Sequence, residues 1–156
     1  MMPEALLAAC AAAAFAVPVH ASDRAGARRQ LDQARALYLR GEFKESLRAA
    51  NDAVAADDRL GPAYELRARL WHVLGDPARQ KQDAERTLSL IAEGSLGAEE
   101  LIAVGGAHLL LSQIAKAQTA LDAAVQVSKR SGEALAARAR AWRAARDRAR
   151  AKDVID

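Results

Sequence analysis

Apolar residues return every three or four positions through most of this chain of 156 residues. Leu31, Ala34, Leu37 and Tyr38 mark one side of a helix that the pattern places at 24–40. Gly41 closes it, because glycine reaches the left-handed conformation that ends helices. Phe43, Leu47, Ala50 and Val54 form the stripe of a second helix, 43–56. Asp57-Asp58-Arg59-Leu60-Gly61 reads as a turn. Pro62 then suits the first turn of a third helix, where its missing N–H costs nothing. That helix, 62–74, carries Tyr64, Ala68, Trp71 and Leu74. Gly75-Asp76-Pro77 combines a helix stop, an N-cap and a proline in the first helical position. A fourth helix, 77–91, shows Ala84, Thr87, Leu88 and Ile91. After a loop over 93–97, the pattern places further helices at 98–111, 114–129 and 133–152. No strand-like alternation of β-branched residues occurs. The expected fold class is all-α, with about seven helices.

The turns repeat as well. Gly41-Glu42-Phe43 is echoed by Gly75-Asp76-Pro77, 34 residues later. A period of this size signals helical hairpins that bury their apolar faces only by stacking. The unit resembles the tetratricopeptide repeat. Its slots are filled in the second unit by Tyr64, Ala68, Trp71, Ala84 and Thr87. In the first unit they hold Gln30, Ala34, Leu37, Ser46, Ala50 and Ala53. A third unit fits with Gly105, Ala117, Leu121 and Ala124, starting about three residues late. A last helix, with Leu135, Ala139 and Trp142, caps the stack. The units run over about 27–60, 61–94 and 98–131, with the cap at 132–152. Arg67, Gln80 and Ser112 depart from the pattern, standing where a leucine, a small residue and a turn glycine are expected. Gly105-Gly106 inside a helix costs about 1 kcal/mol per glycine relative to alanine.

The resemblance implies a right-handed superhelical stack of antiparallel hairpins whose first helices line a groove. It implies a non-catalytic scaffold that binds another protein or an extended peptide there. The residues offered to that groove are Arg28, Leu31, Arg35, Tyr38 and Leu39, then Glu65, Arg69, His72 and Val73. Glu99, Ile102, Leu109 and Leu110 follow, and Arg140 and Arg143 complete the set. Arg35, Arg69 and Arg140 hold equivalent places, with Gly106 interrupting the row. Guanidinium groups aligned beside Tyr38 suit a peptide with acidic groups or a free carboxylate, which arginine holds through two parallel hydrogen bonds. The competing reading pairs Arg35 with Asp32 and Arg69 with Glu65 on their own helices.

Composition adds a leader. Alanine makes up about a quarter of the chain and aromatics only 4%, so the core is lined by small side chains. Ala5–Val19 is a nearly unbroken apolar run ending in Val19-His20-Ala21, then Ser22-Asp23. Small residues there resemble a secretory cleavage site. Residues 1–21 are expected to be a cleavable signal peptide and 22–156 the repeat domain, exported to the periplasm. Leu7-Ala8-Ala9-Cys10 also resembles a lipoprotein processing box, with a shorter apolar run before it than such boxes have. The cleaved chain carries no cysteine, hence no disulfide and no thiolate chemistry.

Charge is uneven. Residues 129–156 hold 9 basic and 4 acidic residues, against 14 and 15 over 22–128. The basic last helix offers a second reading, binding of an anionic or membrane surface, although its arginines spread around the helix rather than forming one stripe. Nucleic acid is disfavoured because export would separate the two. Dimerisation through an exposed end is allowed. His72 and His108 lie on different units, with His108 expected to fill a packing slot. No metal, phosphate-loop or nucleophile motif appears. The expectation is therefore no enzyme, no cofactor and no metal.

Overall fold

The computed structural model describes residues 23–92 and 96–153. The expected signal peptide and Cys10 lie outside the described residues. Seven helices follow one another: α1 (Arg24–Leu39), α2 (Phe43–Ala56), α3 (Gly61–Leu74), α4 (Pro77–Ile91), α5 (Ala98–Leu110), α6 (Ile114–Val127) and α7 (Gly132–Asp153). No strand occurs among the described residues. Each bound falls within two residues of the one read from sequence. The reason is local chemistry. Asp23 and Asp76 accept hydrogen bonds from the N–H groups of Gly26 and Arg79, satisfying donors that a helix start leaves free.

Three hairpin turns are copies of one another. Gly41 and Gly75 take φ of 80° and 79°, and Ser112 follows with φ 58°. In each, the next residue's N–H reaches back to the carbonyl of Leu37, Trp71 or His108, at 3.0, 2.9 and 2.8 Å. This closure satisfies carbonyls at the helix end. It also fixes the register: Leu37, Trp71 and His108 are equivalent, and so are Arg35, Arg69 and Gly106. Ser112 thus adopts the left-handed geometry of the glycine it replaces.

Consecutive helices form hairpins α1–α2, α3–α4 and α5–α6, stacked so that α3 meets α1, α2 and α5, and α5 meets α4 and α7. One core joins the first hairpin to α3 through Leu31, Leu37, Leu60, Leu66 and Leu70. A second joins α5, α6 and α7 through Leu101, Ile102, Leu121 and Val125, with Ala134, Ala137 and Ala141. Small residues set the helix spacing. A methyl group on Gly105 would lie 2.4 Å from Cγ of Leu121, so this glycine lets α6 approach closely. Gln80 is not idle in its small slot: its amide donates to the carbonyl of Leu110 at 2.9 Å, sealing the end of α5.

The last helix keeps the expected register but differs from expectation in the face it buries. Ala134, Ala137 and Ala141 face the stack, whereas Ala139 is exposed and Trp142 is 58% exposed. Leu135 is only partly buried. The capping trio read from sequence is the face that each earlier hairpin covers with its own second helix, and α7 has no such helix among the described residues.

Candidate functional site

The first helix of each unit contributes to one continuous groove. One section of about 530 Å³ is lined by Asp32, Arg35, Tyr38 and Leu39 of α1, Leu66 and Arg69 of α3, Ile102 of α5, and Glu133, Ala136 and Arg140 of α7. An adjoining section of about 410 Å³ shares Asp32, Arg35, Ile102 and Glu133, and adds Arg28, Leu31 and Glu99 among others. The equivalence of Arg35, Arg69 and Arg140 therefore brings residues from 35 to 140 to one surface.

The guanidinium groups are not an open row. Arg35 bonds Glu99 across the groove at 2.9 Å and lies 3.7 Å from Asp32, while Arg28 approaches Glu99 at 3.7 Å. Arg69 bonds Glu65 at 2.7 Å and lies over the Tyr38 ring at 5.3 Å. Both same-helix pairs foreseen as the competing reading are present. Tyr38 is braced edge-on by Phe43, with ring centroids 5.6 Å apart.

Two features leave positive charge incompletely met. Nε of Arg69 is buried without a hydrogen-bond partner. Arg140 has no ion pair among the described residues. Desolvation, and then repulsion from Arg69, push Arg140 below the ordinary guanidinium range. Burial also opposes the charge on Arg69, but the charge and hydrogen bond of Glu65 outweigh it and hold that group above its usual value. Arg69 and Arg140 thus line one groove section in which, of the two, Arg69 alone has an ion pair among the described residues, while the charges of Glu65 and Glu133 act on both.

The offered residues divide by geometry. Arg28, Leu31, Arg35, Tyr38, Leu39, Arg69, Glu99, Ile102 and Arg140 line the groove. Glu65 lies beneath it, with its side chain 4% exposed. Gly106 explains why: a methyl group there would lie 2.1 Å from Oε1 of Glu65. The missing side chain makes room for the carboxylate that anchors Arg69. His72 lies outside the lining and contacts Gln80 through Nδ1 at 3.1 Å. Arg143 is exposed outside it too. Leu109 and Leu110 pack against the cores. Glu133, which sequence reasoning missed, stands 34 residues after Glu99, so the period itself could have found it.

A second cluster also escaped the sequence reading. Arg67 donates from Nε and Nη2 to the two oxygens of Asp83, both at 2.7 Å, and from Nη1 to Asn51 at 3.2 Å. The indole N–H of Trp71 donates to the same Asp83 at 3.1 Å. Arg67 also lies over the Tyr64 ring at 5.1 Å. The hydrogen bonds of Asp83 raise the Arg67 pKa against the effect of burial. An arginine in a leucine slot requires a buried acceptor, and that requirement was the available signal. His108 is half-buried and bonds Gln113 at 2.9 Å, with burial lowering its pKa. Among the described residues no group of three or more His, Cys, Asp or Glu could hold a metal, and no helix is long and apolar enough to cross a membrane.

No protein-family model matches the sequence, and neither does any curated protein. Solved structures do match. The first TPR of Spaghetti (RPAP3) bound to the HSP90 peptide SRMEEVD aligns with a TM-score of 0.51 at 16% identity, over 81% of this chain and 97% of that one. The first TPR domain of human RPAP3 gives 0.51 at 15%, over 78% and 94%. The Sgt2 TPR domain from Aspergillus fumigatus gives 0.51 at 13%, over 80% and 82%.

Proposed function

Taking the fold as a tetratricopeptide-like stack of helix hairpins, we propose that the groove binds an extended acidic peptide without catalysis. The observation that carries this reading is the Arg69–Arg140 site, where these two guanidinium groups line one groove section and, of the two, only Arg69 has an ion pair among the described residues, with Glu65. A peptide carboxylate seated there relieves the repulsion and accepts charge-assisted hydrogen bonds. The Tyr38 ring and the side chains of Leu39, Leu66 and Ile102 supply apolar contact along the peptide. The RPAP3 domain bound to SRMEEVD, a peptide rich in acids, supports the same class of ligand.

The partner acts in the bacterial cell envelope, where this chain serves as an accessory factor. Support for that place comes from the apolar run of residues 5–19 and the small residues around Ala21. Fractionation with N-terminal sequencing tests it: a chain beginning at Ser22 in the periplasm is expected, and an uncleaved cytoplasmic chain refutes it.

The groove is tested with an array of acidic decapeptides and their Gln- and Asn-substituted counterparts. Acidic members are expected to bind, and Arg140→Ala to weaken them at least tenfold. Equal retention of neutral counterparts, or indifference to Arg140→Ala, overturns the proposal.

A further inference from the structure

One 34-residue period on from His108, which the turns align with Trp71, makes Arg138 and Trp142 of α7 equivalent to Arg67 and Trp71 of α3, with Ala139 equivalent to Ala68. The likeness extends to the neighbouring helix. Arg67 reaches back to Asn51 of α2 through Nη1 at 3.2 Å. Arg138 reaches back to Asp122 of α6, at the position corresponding to Asn51, through Nη1 at 3.7 Å. In α3 the remaining donors, Nε and Nη2 of Arg67 and the indole N–H of Trp71, all converge on Asp83 of α4. In α7 the same three donors have no acceptor among the described residues. Trp142 is 58% exposed and Ala139 is open to solvent.

The geometry points to a docking site for a helix of another protein, which completes the fourth hairpin in the way α4 completes the second. Its recognition element is a carboxylate that takes both Arg138 and Trp142. A small residue comes next, to lie on Ala139 as Ala84 clusters with Ala68. This face is separate from the groove. At roughly 100° per residue, Leu135, Arg138 and Trp142 lie on the side of α7 opposite Glu133, Ala136 and Arg140.

Charge selects the occupant. The described side chains of α7 include Arg138, Arg140, Arg143 and Arg146 against Glu133 and Asp147, so α7 of a second copy would bring like charge. Asp83 of a second copy is already bonded to Arg67 and Trp71. An acidic amphipathic helix of a different chain satisfies the free donors without either conflict.

The test uses a side-chain-stapled helical peptide of residues 77–91, the sequence of α4 made acidic by Arg79→Glu, Lys81→Glu and Arg86→Glu, and the same peptide with Asp83→Asn. Each is titrated into the full chain while the Trp142 indole N–H resonance is followed by NMR. The Asp peptide is expected to shift that resonance saturably. Its affinity should fall at least tenfold with the Asn peptide and with Arg138→Ala, whose helical circular dichroism serves as the folding control. Equal binding of the two peptides, or no movement of the Trp142 signal at millimolar peptide, overturns the proposal. Self-association of the chain alone that is lost in Trp142→Ala would assign the face to a second copy, and overturns it equally.

Discussion

Arg67 and Arg69 stand two residues apart on α3 and lead opposite lives. Arg67 uses Nε, Nη1 and Nη2, and its partner Asp83 also receives Trp71. Arg69 makes one bond to Glu65, leaves Nε without a partner, and faces a second cation in Arg140. The first arginine belongs to the fold, and its hydrogen-bonding capacity is filled from within. The second is fixed by the fold but not satisfied by it. That difference separates a stabilising ion pair from a receptive one, although each reads as the same residue beside an acid.

The largest effect expected from this contrast comes from Asp83→Asn. It leaves the Arg67 cation poorly compensated, at a cost of about 3 kcal/mol, measurable as a lower urea midpoint. A loss below about 1 kcal/mol would erase the distinction between the two arginines. On the groove side, Arg140→Ala should change stability by no more than about 0.5 kcal/mol. The same change should weaken acidic-peptide binding at least tenfold, equivalent to about 1.4 kcal/mol. A variant that loses stability and keeps binding would reverse the assignment.

The two glycines of α5 sharpen the comparison. Gly105→Ala and Gly106→Ala each gain about 1 kcal/mol in helix propensity but meet crowding that costs about 1–3 kcal/mol. Both are expected to lower the melting temperature modestly. Only Gly106→Ala should also weaken peptide binding, because it displaces Glu65 and with it Arg69. Glu99→Gln tests the half-buried end of the groove, where Arg28 and Arg35 share one carboxylate. It should cost no more than about 0.5 kcal/mol, and raise acidic-peptide affinity by freeing Arg28 and Arg35.

The smallest effect belongs to His108, which holds the register of Trp71 without a carboxylate partner. Its folded pKa is lowered from 6.5 by burial, so the unfolded chain takes up the proton first. Stability should therefore decline as pH falls through and below that value. His108→Gln should flatten the decline in denaturant titrations across the same range.

Most of the fold was legible because helix ends are local. Gly41, Gly75, Asp76 and Pro77 act through their own backbone or cap chemistry, so the sequence around each turn suffices. The groove arginines were legible for a related reason: a fixed period carries Arg35, Arg69 and Arg140 to one side. What sequence could not supply was the partner of each charge. Glu99 lies 64 residues from Arg35, and only stacking brings them together. Asp32 and Glu65 were visible as helix neighbours, but burial of Glu65 depended on an absent side chain on α5. Trp142 misled because it repeats the position of Trp71, while the helix that would cover it does not follow among the described residues.

Gly106 has one more implication. Idealised repeat arrays tolerate shuffling, since every unit presents the same surfaces to its neighbours. Here α1, α3 and α7 carry arginine at a shared place, and α5 carries nothing there. Exchanging the third hairpin for either of the others would drive a side chain into the space held by Glu65. The sequence of modules is consequently written into the protein by a vacancy, and rearranged versions should fold with a disordered cleft or fail to assemble.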